Sequence, residues 1–254
     1  MIISIIIANV IVIFSEEHSK HSVSLWTLNI TAATASILCI IVIWRYGIHG
    51  LHGKSYLFLA LGIISWFSAD FTLLYNYYAL GIEEQRLVTN TDVLWFAGYG
   101  FLSLHLFIVI RSLHIKIKSK LVIVVSIITV LFISYNLVNL FSYDWNIEDD
   151  FIAIIVTILY PILDFILIIP SSIILATLRK DYEHNIPWFL SSLSLLVNAI
   201  ADDGYVNDFV TGNSENLWFW ELFYITDFII MSGALFWYNK FHISNEIRKV
   251  RINQ

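Results

Sequence analysis

Long apolar blocks alternate with short polar connections along this chain. Seven blocks, Leu25–Trp44, Tyr56–Leu80, Val93–Ile110, Leu121–Phe141, Phe151–Leu178, Ile186–Phe209 and Leu217–Tyr238, have the length of a membrane-crossing helix, which needs about 20 mostly apolar residues. Lipid offers the backbone no water, so each block has to satisfy its peptide groups internally, and an α-helix does so. The pattern predicts an all-α integral membrane protein, a seven-helix transmembrane bundle over residues 25–238 with a basic tail over 239–254.

An eighth apolar block, Met1–Phe14, is shorter, about 21 Å as a helix at 1.5 Å per residue, and ends in Ser15-Glu16-Glu17. It has neither the basic n-region nor the small-residue cleavage site of a signal peptide. Residues 1–24 therefore read either as a signal-like segment or as a retained, partly inserted eighth helix, followed by an outer polar stretch.

Composition agrees with the pattern. The chain is 58% hydrophobic and 13% charged, against roughly 45–50% and 25% in soluble domains, and its mean hydropathy is +0.76. Three prolines and one cysteine exclude collagen-like and disulfide-framework chains. The formal charge of -6 is unsuited to phosphate recognition, so no nucleic-acid partner is expected.

Lysine and arginine set an orientation, because loops on the cytoplasmic side collect them. Twelve of the fourteen fall after the first, third, fifth and seventh spans, and only Lys20 and Arg86 lie on the other side. This places the N-terminus outside and the C-terminus in the cytoplasm of a cell-membrane, multi-pass protein. Acidic residues crowd the outer loops, at Glu83, Glu84, Asp144, Glu148, Asp149, Asp150 and Glu215. Trp26, Trp95, Trp145, Trp218 and Trp220 lie near outer boundaries, where indole favours the headgroup layer.

The sequence also carries a short parallel repeat. Ala69-Asp70, Gly81 and Asp92-Val93-Leu94-Trp95-Phe96 in the second and third spans match Ala201-Asp202, Gly212 and Glu215-Asn216-Leu217-Trp218-Phe219 in the sixth and seventh. Both copies start on outward-running helices, unlike the inverted repeats of many carriers.

Seven carboxyl groups fall inside the spans: Asp70, Asp164, Asp202, Asp203, Asp208, Glu221 and Asp227, joined by His105. A charge at mid-bilayer costs about 2.5–3.5 kcal/mol on insertion scales, so intramembrane acids mark functional candidates. No Lys or Arg lies within a span to neutralise them, which leaves protonation, hydrogen bonding to Tyr, Asn and Ser, or a bound cation. Asp70, His105, Asp164, Asp202, Asp203 and Asp227 are the candidate ligand-binding residues. Asp70 and Asp202, on different helices, are the candidate acid and base if the protein is a hydrolase. Asn198 and Asn207 lie four residues from Asp202 and Asp203 on their faces, and Tyr160 four from Asp164 beside the in-helix prolines Pro161 and Pro170. The same acids also read as plain interhelical contacts.

Other chemistry is thin. His105 lacks partners at set metal spacing, and neither His49 with His52 nor His18 with His21 has a third ligand near it in sequence. No metal or cofactor is expected. Phosphate loops, serine-hydrolase elbows and zinc-protease motifs are missing. Every lysine lies outside the spans, so no retinal Schiff base can form within them. Cys39 reads as a small core residue.

Ser65-Trp66-Phe67-Ser68-Ala69-Asp70, Tyr75, Gly81 and Thr91-Asp92-Val93-Leu94-Trp95-Phe96-Ala97-Gly98-Tyr99, closing at Arg111, resemble the multi-span input domain of bacterial diguanylate cyclases and sensor kinases. Ala201-Asp202, Gly212 and Leu217-Trp218-Phe219 are similar to that domain's second repeat. The likeness covers about residues 25–240 and implies a sensory role. Only Asn239–Gln254 follows the last span, too few for a cyclase or kinase, so sensing would need a separate cytoplasmic output protein. Asp70, Asp202 and Asp227 give a weaker resemblance to lysoplasmalogenase-type membrane hydrolases. The expected partners are thus the bilayer, a small or lipidic ligand and an output protein.

Overall fold

The computed structural model describes residues 1–81, 90–114, 119–141, 147–179, 185–210 and 217–243. These are almost wholly helical: α1 Ile2–Ile13, α2 Glu17–Tyr46, α3 Gly50–Tyr75, α4 Asp92–Ser112, α5 Ser119–Phe141, α6 Ile147–Leu178, α7 Ile186–Val210 and α8 Leu217–Trp237. π-Helical turns extend α3 through Asn76–Leu80 and α8 through Tyr238–Ile243. Gly81 ends the first of these in the left-handed region, at φ 63°, where a residue without Cβ carries no steric cost.

Neighbour packing closes a ring. α2 packs on α3, α3 on α4, α4 on α6, α6 on α7, α7 on α8, and α8 returns to α2. This order sets α3 opposite α7, so Asp70 and Asp202 come from opposing walls. α1 and α5 stand outside the ring, α1 against α8 and α2, and α5 against α6 and α7. Their composition explains the position. α1 exposes Ile2, Ile3, Ile6, Ile7, Val10 and Ile11, and α5 exposes Ile123, Val124, Ile127, Ile128 and Leu131, so both present apolar faces away from the bundle as lipid-facing helices do.

Among the described residues five helices are long and apolar enough to cross a membrane: Glu17–Tyr46, Gly50–Leu80, Asp92–Ser112, Ile154–Leu178 and Leu217–Phe241. The sequence pattern predicts seven. α7 is diluted by Ser191, Ser192, Ser194, Asn198, Asp202 and Asp203, of which all but Asp202 are fully buried. It is a polar interior helix rather than a uniformly apolar one. α5 runs over 23 apolar-rich residues, Ser119–Phe141, and α1 spans just 12, about 18 Å. α2 also begins eight residues before the predicted Leu25, which carries His21 to the bundle end.

α1 is helical and fitted to the bundle. Asn9 Nδ2 donates to Thr226 Oγ1 of α8 at 3.0 Å, and Val12 is fully buried.

Small residues allow close helix approach at two places. Trp66 of α3 lies over Gly98 of α4, and Trp220 of α8 lies over Gly204 of α7. A Cβ at either glycine would overlap the indole.

One end of the ring is sealed by rings. Tyr56 and Tyr238 stack with centroids 4.1 Å apart, Trp188 and Tyr46 approach Tyr238 at 5.9 and 5.8 Å, and His52 meets Trp188 at 5.5 Å. At the rim Arg45 donates to the Asn239 side chain and, at 3.3 Å, to its carbonyl.

Candidate functional site

The six ring helices enclose a cavity of about 220 Å³ in the half away from this aromatic seal. Every ring helix contributes to its wall, among them Leu25 and His21 of α2, Trp66 and Asp70 of α3, and Asp92, Trp95 and Tyr99 of α4. Tyr160 comes from α6, Asn198 and Asp202 from α7, and Glu221 and Tyr224 from α8. The mouth lies near His21, whose side chain is 58% exposed, and Tyr77 of the π-helical turn.

Hydrogen bonds tie the acids to aromatic residues on neighbouring helices. Trp95 donates its indole N–H to Asp70 Oδ1 at 3.3 Å. Tyr160 donates to Asp92 Oδ1 at 2.5 Å. Tyr224 donates to Asp202. The Tyr99 hydroxyl lies between two carboxyls, 2.6 Å from Asp164 Oδ1 and in contact with Asp202 Oδ2. Trp66 donates to the Trp95 carbonyl at 3.1 Å, bracing the neighbour that holds Asp70. The reason for this pattern is physical: a carboxyl removed from water must find donors, and Tyr and Trp supply one each on a ring that also packs well.

The candidate residues thus separate into groups. Asp70 and Asp202 line the cavity together, although their hydrogen bonds run to different partners. Asp164, fully buried, stands behind Tyr99. Asp227, also fully buried, accepts from Ser194 and, at 3.1 Å, from Asn198 Nδ2. The amide expected to serve Asp202 therefore turns to the next helix instead. Asp203 is buried one residue further around α7.

His105 lies apart from the cavity. Its Nδ1 is 2.8 Å from Ser55 Oγ and 3.0 Å from the Ser55 carbonyl oxygen, and Tyr56 lies beside it toward the aromatic seal. A carbonyl only accepts, so Nδ1 carries the proton in that bond. Nε2 is buried without a partner.

Several wall residues escaped the sequence reading. Trp95 sits in the wall as a donor to Asp70, and Trp220 donates to Asp208 at 2.7 Å. Trp218 lies under Lys20 Nζ, 4.4 Å from the ring centroid. Trp26 is half exposed. Asp92 enters the sequence reading only through the repeat and the family resemblance, and Glu221 is one of the seven acids inside the spans but not one of the candidate ligand-binding residues, yet both line the cavity. The Asp-x-x-Trp-x-x-x-Tyr spacing of Asp92, Trp95 and Tyr99 was the available signal, since i+3 and i+4 steps place all three on one helix face.

Trp145, Gly212, Glu215 and Asn216 lie outside the described residues, as do Glu83, Glu84, Arg86, Asp144, Lys116, Lys118, Lys180 and the tail from residue 244 with Arg248, Lys249 and Arg251. The second copy of the repeat can therefore be followed only through Ala201-Asp202 and Leu217-Trp218-Phe219. Among the described residues no group of three His, Cys, Asp or Glu side chains is arranged to hold a metal ion. Compared with known proteins, the chain matches no family model, no curated protein and no solved structure.

Proposed function

We propose that the protein is a multi-pass membrane module that binds a ligand in its acidic cavity and passes the binding event to a cytoplasmic partner. The observation that carries this reading is the wall itself: all six ring helices reach one cavity. A ligand seated there touches every helix of the ring, so its binding energy acts directly on their relative packing, which is the requirement for a ligand to shift a conformational equilibrium. In this reading α2 to α8 are seven spans, α1 is an eighth, partial segment, and the cavity opens outward. The positive-inside distribution of Lys and Arg supports that orientation.

A second reading is favoured by the carboxyls meeting at Tyr99. Two acids flanking one hydroxyl, beside a cavity, are the arrangement from which one group gives and another takes a proton. The protein would then be an intramembrane hydrolase of lysolipid-like substrates, with Asp70 and Asp202 facing the substrate.

One experiment separates the two. The purified protein is mixed with lysoplasmalogens and lysophospholipids, and both bound mass and product are followed for wild type, Asp70→Asn and Asp202→Asn. Turnover that both substitutions abolish establishes the hydrolase. Binding without turnover supports the sensory module. Neither binding nor turnover, in folded protein, counts against both on these compounds.

A further inference from the structure

The first turns of α2 stand at the cavity mouth, and His21 touches both neighbours of α2 in the ring. Its imidazole meets Tyr77 of the π-helical turn edge-on, with centroids 5.5 Å apart, and its Nδ1 lies 3.6 Å from Glu221 Oε1 of α8. All three residues line the cavity. The two ends of the ion pair have different surroundings: the His21 side chain is more than half exposed, whereas that of Glu221 is 9% exposed. A carboxylate so far removed from water needs a partner, and His21 is the basic group that the described residues bring to it.

A separation of 3.6 Å is beyond a good hydrogen bond but within reach of a charge pair, so the worth of the contact depends on the charge of the ring. Imidazole is the side chain that changes charge between about pH 5 and 8. Neutral His21 gains little from Glu221; protonated, it attracts the carboxylate across the mouth. The geometry points to a latch: protonated His21 clamps the N-terminal end of α2 to α8 over the cavity, and loss of that proton frees the entrance. The pairing is therefore present at low pH and lost as pH rises.

The surrounding charges leave this pair to itself. On α2, Lys20 is engaged by Glu17 at 2.7 Å and lies over the Trp218 ring, and His18 lies 3.2 Å from Glu16. α3 presents Tyr77 to the imidazole and carries Asp70 seven residues deeper in the cavity, and α7 places Tyr205 in the same wall. α1, which also packs on α2, carries no titratable side chain over Ile2–Ile13. The latch concerns entry alone, so it goes beyond the ligand-binding reading and holds for a signal and a substrate alike.

Leu28 provides the readout. It lines the cavity seven residues along α2 from His21, about 10.5 Å by helical rise, so a reagent entering at the mouth passes the latch first. In the full-length protein in detergent, with Cys39→Ala removing the native thiol, Leu28→Cys is reacted with the small neutral reagent methyl methanethiosulfonate. Rates are measured at about pH 5.5 and about pH 8, on either side of the imidazole transition, with His21 and Glu221 intact and with His21→Gln or Glu221→Gln. Comparing the proteins at one pH cancels the titration of the introduced thiol. At the lower pH the intact latch should slow the reaction about fivefold relative to either variant, the scale of a partly exposed ion pair. At the higher pH the three should react alike. His21→Gln, at a well-exposed position, keeps the test decisive if Glu221→Gln folds poorly.

Equal rates for the three proteins at both pH values overturn the latch. Slowing at low pH that survives Glu221→Gln assigns the effect to another partner and overturns the pair. Slowing that is the same at both pH values shows a plug indifferent to the proton, and the inference fails. An introduced thiol that never reacts, in folded protein of all three, places the mouth elsewhere and also sinks it. None of these outcomes bears on the lysolipid experiment above, which decides the ligand-binding reading independently.

Discussion

The hydroxyl of Tyr99 on α4 lies 2.6 Å from Oδ1 of Asp164 on α6, and both side chains are buried. The same hydroxyl touches Asp202 on α7, so one oxygen joins three helices. A tyrosine brings a single proton. It serves both carboxyls at once only if one of them returns a proton to the phenolic oxygen. Tyr99→Phe keeps the ring against Trp66 but strands two carboxyls. It should cost about 1–3 kcal/mol, read as a lower unfolding midpoint in detergent. Asp164→Asn keeps a donor next to the same oxygen and should cost less. Equal stability of Tyr99→Phe and wild type would show that the contact carries no weight.

Gly98 tests how tightly the cavity wall is fitted. Its Cα lies under the Trp66 indole, where a methyl has no room. Gly98→Ala should destabilise by about 1–3 kcal/mol, the usual range for overpacking, and should displace the indole that braces Trp95. Gly100, two residues further along the same helix, has open space. Gly100→Ala should therefore leave the melting temperature unchanged or raise it. The difference between the two variants, measured side by side, is the test.

Asn9 decides whether α1 belongs to the finished protein. Its amide reaches Thr226 across the α1–α8 contact. If α1 is retained, Asn9→Ala removes that bond and lowers stability by about 0.5–1.5 kcal/mol. Intact mass of the purified chain provides the direct answer, and a mass lacking the first residues would make the substitution silent.

Cys39 is buried, so background labelling by a membrane-impermeant maleimide should be low. Cysteine placed at Glu16, before α2, should react from outside intact cells. Cysteine at His114, just after α4, should react only after permeabilisation. The reverse result would invert the proposed orientation and turn the cavity mouth toward the cytoplasm.

The residue types alone foretold much of the architecture. Helix, membrane length and the interior acids follow from local rules: apolar blocks must be helical in lipid, and a carboxyl within such a block must turn inward. Asp70, Asp164, Asp202, Asp203 and Asp227 all sit inside the bundle accordingly. What sequence spacing cannot express is which helices become neighbours, because that depends on contacts between distant segments. The pairing of α2 with α8 and α4 with α6 closes the ring and leaves α5 outside it, although α5 is fifth in order and apolar enough to have stood anywhere. That closure brings Tyr99 between Asp164 and Asp202, hands Asn198 to Asp227, sends His105 to Ser55, and makes Trp95 the donor that holds Asp70. The chain's chemistry is written residue by residue, but the partner that satisfies each buried group is chosen only when the helices pack.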